Sequence, residues 1–153
     1  MTCGHTPFIS CIERQEKLSR EFLSLPDAKA RYERLMQMGR ALPPTDPLLR
    51  RPQNLVAGCQ SEVFLAARME NDKVFFSVSS DALISAGLAA LLLAIYDGES
   101  VETILGCPPS CIADMGILTS LTPGRSNGLA SMHLRMKQEA VRLLKNIHYQ
   151  SNK

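Results

Sequence analysis

Residues 55–65 read Leu55-Val56-Ala57-Gly58-Cys59-Gln60-Ser61-Glu62-Val63-Phe64-Leu65 and place a Gly-Cys-Gln-Ser turn between two β-rich apolar segments. Such a turn predicts a hairpin connection, and hairpin tips face solvent or a partner. A thiol there can be reached by another protein, whereas a thiol in the middle of a strand cannot. The alternative is that Cys59 is a small, half-buried hydrophobic side chain, because free cysteine is among the most often buried residues. Spacing alone leaves both interpretations of Cys59 open.

Three strands are predicted around this turn, at residues 54–57, 62–69 and 74–79. The last two are separated by Glu70-Asn71-Asp72-Lys73, whose Asn-Asp centre suits a tight turn. The alternation of apolar residues in the third strand indicates that one face is buried. We therefore expect a small antiparallel three-stranded sheet with one face covered by helices.

Two helices are predicted before the sheet. Ser10-Cys11-Ile12-Glu13 fits a capping box, in which a hydroxyl and a carboxylate satisfy free amides at a helix start, and this helix ends near Leu25-Pro26. A second helix begins at Asp27 and is stopped by Pro43-Pro44.

A strongly apolar helix is predicted after the sheet, capped by Ser80-Asp81. Asp81 is interpreted as a helix N-cap rather than a general base. Gly87, unfavourable inside a helix, indicates close packing against the sheet. A short helix follows from Ser100 to about Leu105.

The last helix is predicted after a loop at residues 122–128. Its buried stripe comprises Leu129, Met132, Met136, Ala140, Leu143, Leu144 and Ile147. The order of elements predicts an α+β fold in one domain over residues 1–153, with residues 1–8 as a loose tail.

Composition narrows the class of protein. A length of 153 residues allows one domain with a substantial core, and 17 basic against 15 acidic residues give no strong field for nucleic acid. The apolar run at 82–96 is too short to span a bilayer, and the first residues lack a secretory signal pattern. The five scattered cysteines do not resemble a disulfide framework, which predicts a reducing, cytoplasmic location.

With these segments in order, the chain resembles the SufE family of sulfur-acceptor proteins. The match is carried by Gly58-Cys59-Gln60-Ser61 with Val63, Ser80-Asp81-Ala82, Gly87-Leu88, Leu42-Pro43-Pro44, and Leu121-Thr122-Pro123 with Arg125 and Asn127-Gly128-Leu129. These motifs span about residues 12–148. The chain departs from the family pattern at Phe64, where tryptophan is usual, and at Gly124, where serine is usual. The stretch 107–111 is also unusual for the family.

The resemblance implies a SufE/IscU-like fold and a non-enzymatic accessory role in iron–sulfur cluster assembly, without a cofactor or metal of its own. Proteins of this kind take persulfide sulfur from a PLP-dependent cysteine desulfurase, stimulate that enzyme and pass the sulfur toward an Fe–S scaffold. Cys59 would be the sulfur acceptor. Gly58, Gln60 and Ser61 would support its loop or touch the partner.

Arg125 has two interpretations within this resemblance. It supplies a positive charge near the transferring sulfur, or it pairs with a carboxylate and fixes the loop; the second is favoured because ion-paired loop arginines are common.

Sulfur transfer needs an accessible thiolate, and Gly58 gives the loop freedom to swing. An apolar pocket beneath the loop would keep the Cys59 thiol neutral, since burial disfavours the charged form. The hypothesis is that partner docking turns Cys59 outward and deprotonates it.

The remaining thiols and imidazoles are not assigned to the chemistry. Cys107 and Cys111 are too few for structural zinc and are interpreted as buried or incidental. Metal binding by Cys3 and His5 is improbable. His133 and His148 are predicted to lie at the surface or its boundary.

Two other functions compete with sulfur transfer. An IscU-like metal or Fe–S scaffold needs further thiolates near the start of the central helix and before the last helix, where this chain has Asp81 and no cysteine. The other is a protein-binding activator whose cysteine is incidental, which a Cys59→Ala variant distinguishes because an activator keeps its stimulation.

Overall fold

The fold is known from a computed structural model that describes the backbone of residues 7–151 and the side chains of residues 7–147. The predictions for Cys3, His5, the side chain of His148 and most of the proposed tail lie outside these residues. Six α-helices are present in the described part: α1 Ile9–Leu23, α2 Ala28–Arg40, α3 Leu83–Tyr96, α4 Val101–Gly106, α5 Cys111–Asp114 and α6 Pro123–Ser151. They accompany the strands β1 Val63–Glu70 and β2 Lys73–Ser80 and the short 3-10 turns Pro47–Leu49, Pro52–Asn54 and Leu118–Ser120.

The sheet is a two-stranded antiparallel hairpin, with β1 and β2 paired from Val63↔Ser80 to Glu70↔Lys73. Asn71 and Asp72 both have positive φ, 53° and 62°, as a two-residue turn that matches the strand twist requires. The predicted α+β class is therefore confirmed, and the predicted tight turn at Asn71-Asp72 joins the two strands, whereas the hairpin predicted at Gly58–Ser61 is wrong because only the isolated bridge Leu55↔Phe64 precedes β1.

The predicted third strand at 54–57 is wrong. That segment makes one bridge, Leu55↔Phe64, in which the Val56 amide donates to the Val63 carbonyl at 2.8 Å. The 3-10 turn Pro52–Asn54 precedes the bridge and Gly58, at φ 87°, bends the chain after it, so no room remains for a ladder. The carbonyl of Leu55 accepts instead from Arg135 of α6, at 3.2 Å.

α3 is the centre of the core, and the predicted stripe Ile84, Leu88, Leu91, Leu92 and Ile95 is buried. It packs against α1, α2, α6 and β2. The prediction that Gly87 faces the sheet is wrong. A Cβ on Gly87 would collide with the backbone carbonyl of Leu35 in α2, and a Cβ on Gly39 would lie 2.8 Å from the Gly87 amide nitrogen. The two glycines therefore allow the α2 and α3 backbones to touch.

Two predicted helix caps are wrong. Ser10 lies inside α1, where its hydroxyl donates to a Glu99 carboxylate oxygen at 2.7 Å, and the N-cap is Phe8 with φ 67° and no side-chain cap. At α3 the N-cap is Ala82, also without a side-chain cap, because Asp81 accepts from Arg50 at 2.8 and 3.3 Å. The Asp81 carboxylate therefore pairs with Arg50 and does not cap α3.

Two other predicted starts are confirmed. Asp27 caps α2 by accepting from the Ala30 amide at 2.8 Å, and Ser100 caps α4 by accepting from the Thr103 amide at 3.2 Å. Both caps act within three residues along the chain, which makes them readable from sequence.

α6 begins earlier than predicted. The segment expected to be a loop at 122–128 is mostly helical: Pro123 occupies the first turn, and Thr122 accepts from the amides of Arg125 and Ser126 at 3.3 and 3.0 Å. Proline suits this position because its missing amide would be unsatisfied there anyway. The predicted stripe of α6 is buried at Leu129, Met132, Met136 and Ala140 and partly buried at Leu143, whereas Leu144 and Ile147 are exposed.

Candidate functional site

The Cys59 loop, residues 57–62, leaves the Leu55↔Phe64 bridge and crosses the first turns of α6. Gly58 adopts φ 87°, a left-handed conformation that side chains with a Cβ rarely take. A Cβ at Gly58 would also lie 2.5 Å from the hydroxyl of Ser131 on α6. Both constraints call for glycine next to the thiol.

Cys59 itself is half-buried against the core. Its thiol points at the α6 backbone and donates a long hydrogen bond to the Gly128 carbonyl, with the sulfur 3.7 Å from the oxygen. Burial raises the pKa of the Cys59 thiol above its ordinary value. In this position Cys59 is a protonated, weakly nucleophilic thiol, and it needs exposure before it can attack.

Arg125 holds the loop to the rest of the molecule. One of its guanidinium nitrogens, Nη1, donates to the hydroxyls of Ser61 in the loop and Ser85 in α3, both at 2.7 Å. Among the ion pairs of residues 7–147 none involves Arg125, so the favoured interpretation of a carboxylate partner is wrong. Arg125 fixes the loop through hydroxyls and keeps its charge unneutralised.

Gln60 and Ser61 have different environments. Ser61 is partly buried and bonded to Arg125, whereas Gln60 is exposed and lies across Gly124 at the start of α6. A Cβ on Gly124 would lie 2.6 Å from the Gln60 side-chain oxygen. The serine that is usual at position 124 in the family would therefore meet this glutamine.

Phe64, the other departure from the family pattern, lies under a charged residue. The Arg50 guanidinium is 5.6 Å from the centre of the Phe64 ring and also pairs with Asp81. A cation over an aromatic face is attractive, and phenylalanine keeps that contact.

The other described thiols lie in a separate cluster between α1, α4 and α5. Cys11, Cys107 and Cys111 are buried, with 0%, 5% and 4% of their surface exposed, which confirms the interpretation of Cys107 and Cys111 as buried. Burial is the main cause that raises the pKa of Cys11 to about 12 and of Cys111 to about 11. Cys11 and Cys111 are therefore protonated at neutral pH.

Gln15 of α1 organises this cluster. Its amide nitrogen donates to the Pro108 carbonyl at 3.0 Å and lies 3.5 Å from the sulfurs of Cys11 and Cys107, while its oxygen accepts from the Cys111 amide at 3.0 Å. Nothing in the local sequence pattern identifies Gln15, because its partners in the second half of the chain are more than 90 residues away.

His133 lies at the boundary, as predicted, and is partly buried. Its ring stacks on Tyr96 with centroids 5.3 Å apart, and burial lowers its pKa to about 4. The imidazole is neutral at physiological pH and contacts the core.

Two kinds of structure are absent from the described part of the chain. Residues 7–147 contain no group of three or more histidine, cysteine or acidic side chains placed to hold a metal ion. No described helix is long and apolar enough to cross a membrane.

Fold and site together define a small α+β protein that presents a half-buried thiol on a short loop laid across the start of a long helix. A family model described as "Fe-S metabolism associated domain" matches residues 16–140. The chain belongs to the SufE family, whose role lies in iron–sulfur metabolism.

Curated relatives and a solved structure agree with this assignment. The chain is 35% identical over 129 residues to SufE-like protein 1, chloroplastic/mitochondrial, of Arabidopsis thaliana, covering 84% of this chain and 35% of that protein, so it spans about a third of this relative's length. It is 36% identical over 125 residues to an uncharacterized SufE-like protein of Rhizobium etli, covering 78% of this chain and 84% of the relative. The solution structure of a hypothetical protein from Thermus thermophilus superposes with a TM-score of 0.73 at 28% identity, over 86% of this chain and 96% of that one.

Proposed function

We propose that this protein accepts persulfide sulfur on Cys59 from a PLP-dependent cysteine desulfurase and passes it on for iron–sulfur cluster assembly. Family membership supports the metabolic setting. The observation that carries the choice of residue is the contrast in burial among the described thiols: Cys59 is partly exposed on a loop, whereas Cys11, Cys107 and Cys111 are in the core.

The proposed transfer is a thiol–persulfide exchange. The Cys59 thiolate attacks the terminal sulfur of the desulfurase persulfide, a sulfur–sulfur bond forms on Cys59, and the donor's sulfur–sulfur bond breaks. The donor cysteine leaves as a thiolate, so no external oxidant or reductant is needed. Removing the sulfur returns the desulfurase to its starting state, and this is how the protein would stimulate it.

Docking would convert Cys59 from its resting to its reactive state. At rest the thiol is half-buried and its pKa is raised by burial, so little thiolate is present at neutral pH. Its polar contact in the structure, the 3.7 Å bond to Gly128, is weak enough to break on docking. Turning outward removes the desolvation that holds the proton on the thiol.

The residues around Cys59 would share two tasks. Gly58 and Ser61 support the loop, the first through its backbone conformation and the second through Arg125. Gln60 is exposed beside the thiol and is available to the desulfurase. We extend the proposal to a single SufE-like domain over residues 1–153, acting in the cytoplasm as an accessory protein without its own cofactor and delivering sulfur to a downstream Fe–S scaffold.

Intact-mass spectrometry tests the proposal. The protein is incubated with a desulfurase and cysteine, and the added sulfur is located by peptide mapping. We expect one added sulfur atom on Cys59, none on Cys59→Ala, and normal loading of the matched control Cys111→Ala. The assignment would be contradicted if the wild-type protein gained no sulfur, or if the Cys59→Ala variant gained as much sulfur as the wild type.

A further inference from the structure

Three consecutive residues of the Cys59 loop lie against three residues of α6. Gly58 faces Ser131, Cys59 faces Gly128, and Gln60 lies across Gly124. Positions 124, 128 and 131 are four and three residues apart, so they share one face of the helix. We call these three α6 residues the loop seat.

The fit along the loop seat is uneven. A Cβ on Gly124 would lie 2.6 Å from the Gln60 oxygen, and a Cβ on Gly58 would lie 2.5 Å from the Ser131 hydroxyl. Beside the thiol the fit is looser, because a Cβ on Gly128 would lie 3.8 Å from the Cys59 sulfur, an ordinary contact distance. Gly58 and Gln60 thus approach α6 more closely than Cys59 does.

We infer that Gln60 and Gly124 are positioning residues, and that the glutamine side chain lying over the bare helix backbone holds Cys59 in its inward, half-buried position. The inference rests on the proposed function, since holding the thiol inward matters only if its release is part of sulfur transfer. The position of Cys59 in the undocked protein can be tested without a desulfurase.

The structure indicates what a methyl group at position 124 would do. The atom it would meet is the end of a flexible, exposed side chain rather than backbone, so Gln60 moves and α6 stays. Alanine is also a better helix former than glycine, which keeps α6 intact. The expected result is a loop in which Gln60 no longer packs over the start of α6.

Alkylation of the undocked protein by iodoacetamide measures the release. We expect Gly124→Ala and Gln60→Ala each to raise the Cys59 alkylation rate at neutral pH on the order of threefold, the population change that follows from losing the packing of about one methylene group. The double variant should match Gln60→Ala alone, because the methyl group then has no side chain to displace. Gln138→Ala, an exposed position farther along α6, is the matched control and should alkylate at the wild-type rate.

A pH profile separates positioning from general loosening of the fold. In both single variants the apparent pKa of Cys59 should fall toward that of an ordinary cysteine, while alkylation of the buried thiols stays at the wild-type rate. Unchanged Cys59 rates in both single variants, or effects that multiply in the double variant, would overturn the inference. Sulfur loading of the wild type reports separately on the proposed function, which survives if only the alkylation results fail.

Discussion

The Cys59 loop and the thiol cluster around Gln15 place the same functional group under opposite constraints. Cys59 is half-buried and makes a single long bond to a backbone carbonyl. Cys11, Cys107 and Cys111 are buried among helices. The Gln15 side-chain amide lies beside them and bonds to the backbone of both Pro108 and Cys111. We therefore expect the reactivity of each thiol to follow from how deeply it is buried and how firmly its surroundings are bonded.

Removing the Cys59 thiol should have the largest effect that distinguishes the Cys59 loop from the buried thiol cluster. Cys59→Ala should abolish sulfur acceptance while leaving the fold intact, because the side chain is small and makes one weak polar contact. Stimulation of desulfurase turnover should be lost with it, and both are measured in the same coupled assay. Retained stimulation would favour the activator interpretation.

Loosening the buried cluster should make its thiols resemble Cys59. Gln15→Ala leaves the Pro108 carbonyl and the Cys111 amide without their partner, which should cost about 3 kcal/mol of unfolding free energy at about 1–3 kcal/mol for each group. Urea unfolding measures the loss, and alkylation of Cys107 and Cys111 should become detectable. Lys17→Ala, at an exposed position of α1, is the control and should change neither quantity; a Gln15 variant as stable as wild type would show that the amide does not organise the cluster.

Removing Arg125, which ties the Cys59 loop to α3, should have a moderate effect on stability and on Cys59 alkylation. Arg125→Ala removes the bonds to Ser61 and Ser85 and should cost about 1–2 kcal/mol in unfolding free energy. It should also speed Cys59 alkylation severalfold, since Ser61 is no longer tied to α3. Arg142→Ala, which removes an exposed arginine from the same helix, should leave Cys59 alkylation at the wild-type rate.

The pH dependence should be the most gradual difference. The pKa of Cys111 is raised from 9.0 to about 11 and that of Cys11 from 9.0 to about 12, so both groups bind protons more tightly in the folded state. Their contribution to stability is complete below about pH 9 and is lost as pH rises through 11 and 12. Unfolding in urea at a series of alkaline pH values should show this loss, and Cys111→Ala should reduce its slope. An unchanged slope would contradict burial as the cause of the raised pKa.

The sequence predicts those parts of the fold that depend on short-range periodicity. The β1–β2 hairpin, the buried stripe of α3 and the caps at Asp27 and Ser100 all depend on residues close together in the chain, and all are found. The third strand fails because the segment at 54–57 has strand-like residues but too little length between two turns.

The candidate site is predicted only in part for the same reason. Cys59 and Arg125 stand in recognisable motifs, but their partners come from distant segments. Ser85 carries a weak signal, as a polar residue that interrupts an apolar helix, and it proves to accept from Arg125. The helical start of α6 is hidden by a Pro-Gly-rich composition typical of loops, and the glycines are accommodated because the Cys59 loop lies against them.

The Gly128 carbonyl that accepts a hydrogen bond from the Cys59 thiol has an electrostatic consequence. The Gly128 carbonyl oxygen carries a partial negative charge, so it attracts the S–H group of the neutral thiol. The same oxygen would repel the Cys59 thiolate. Deprotonation of Cys59 thereby changes its interaction with the Gly128 carbonyl from attraction to repulsion. We therefore expect ionisation of the Cys59 thiol and its outward movement to favour each other.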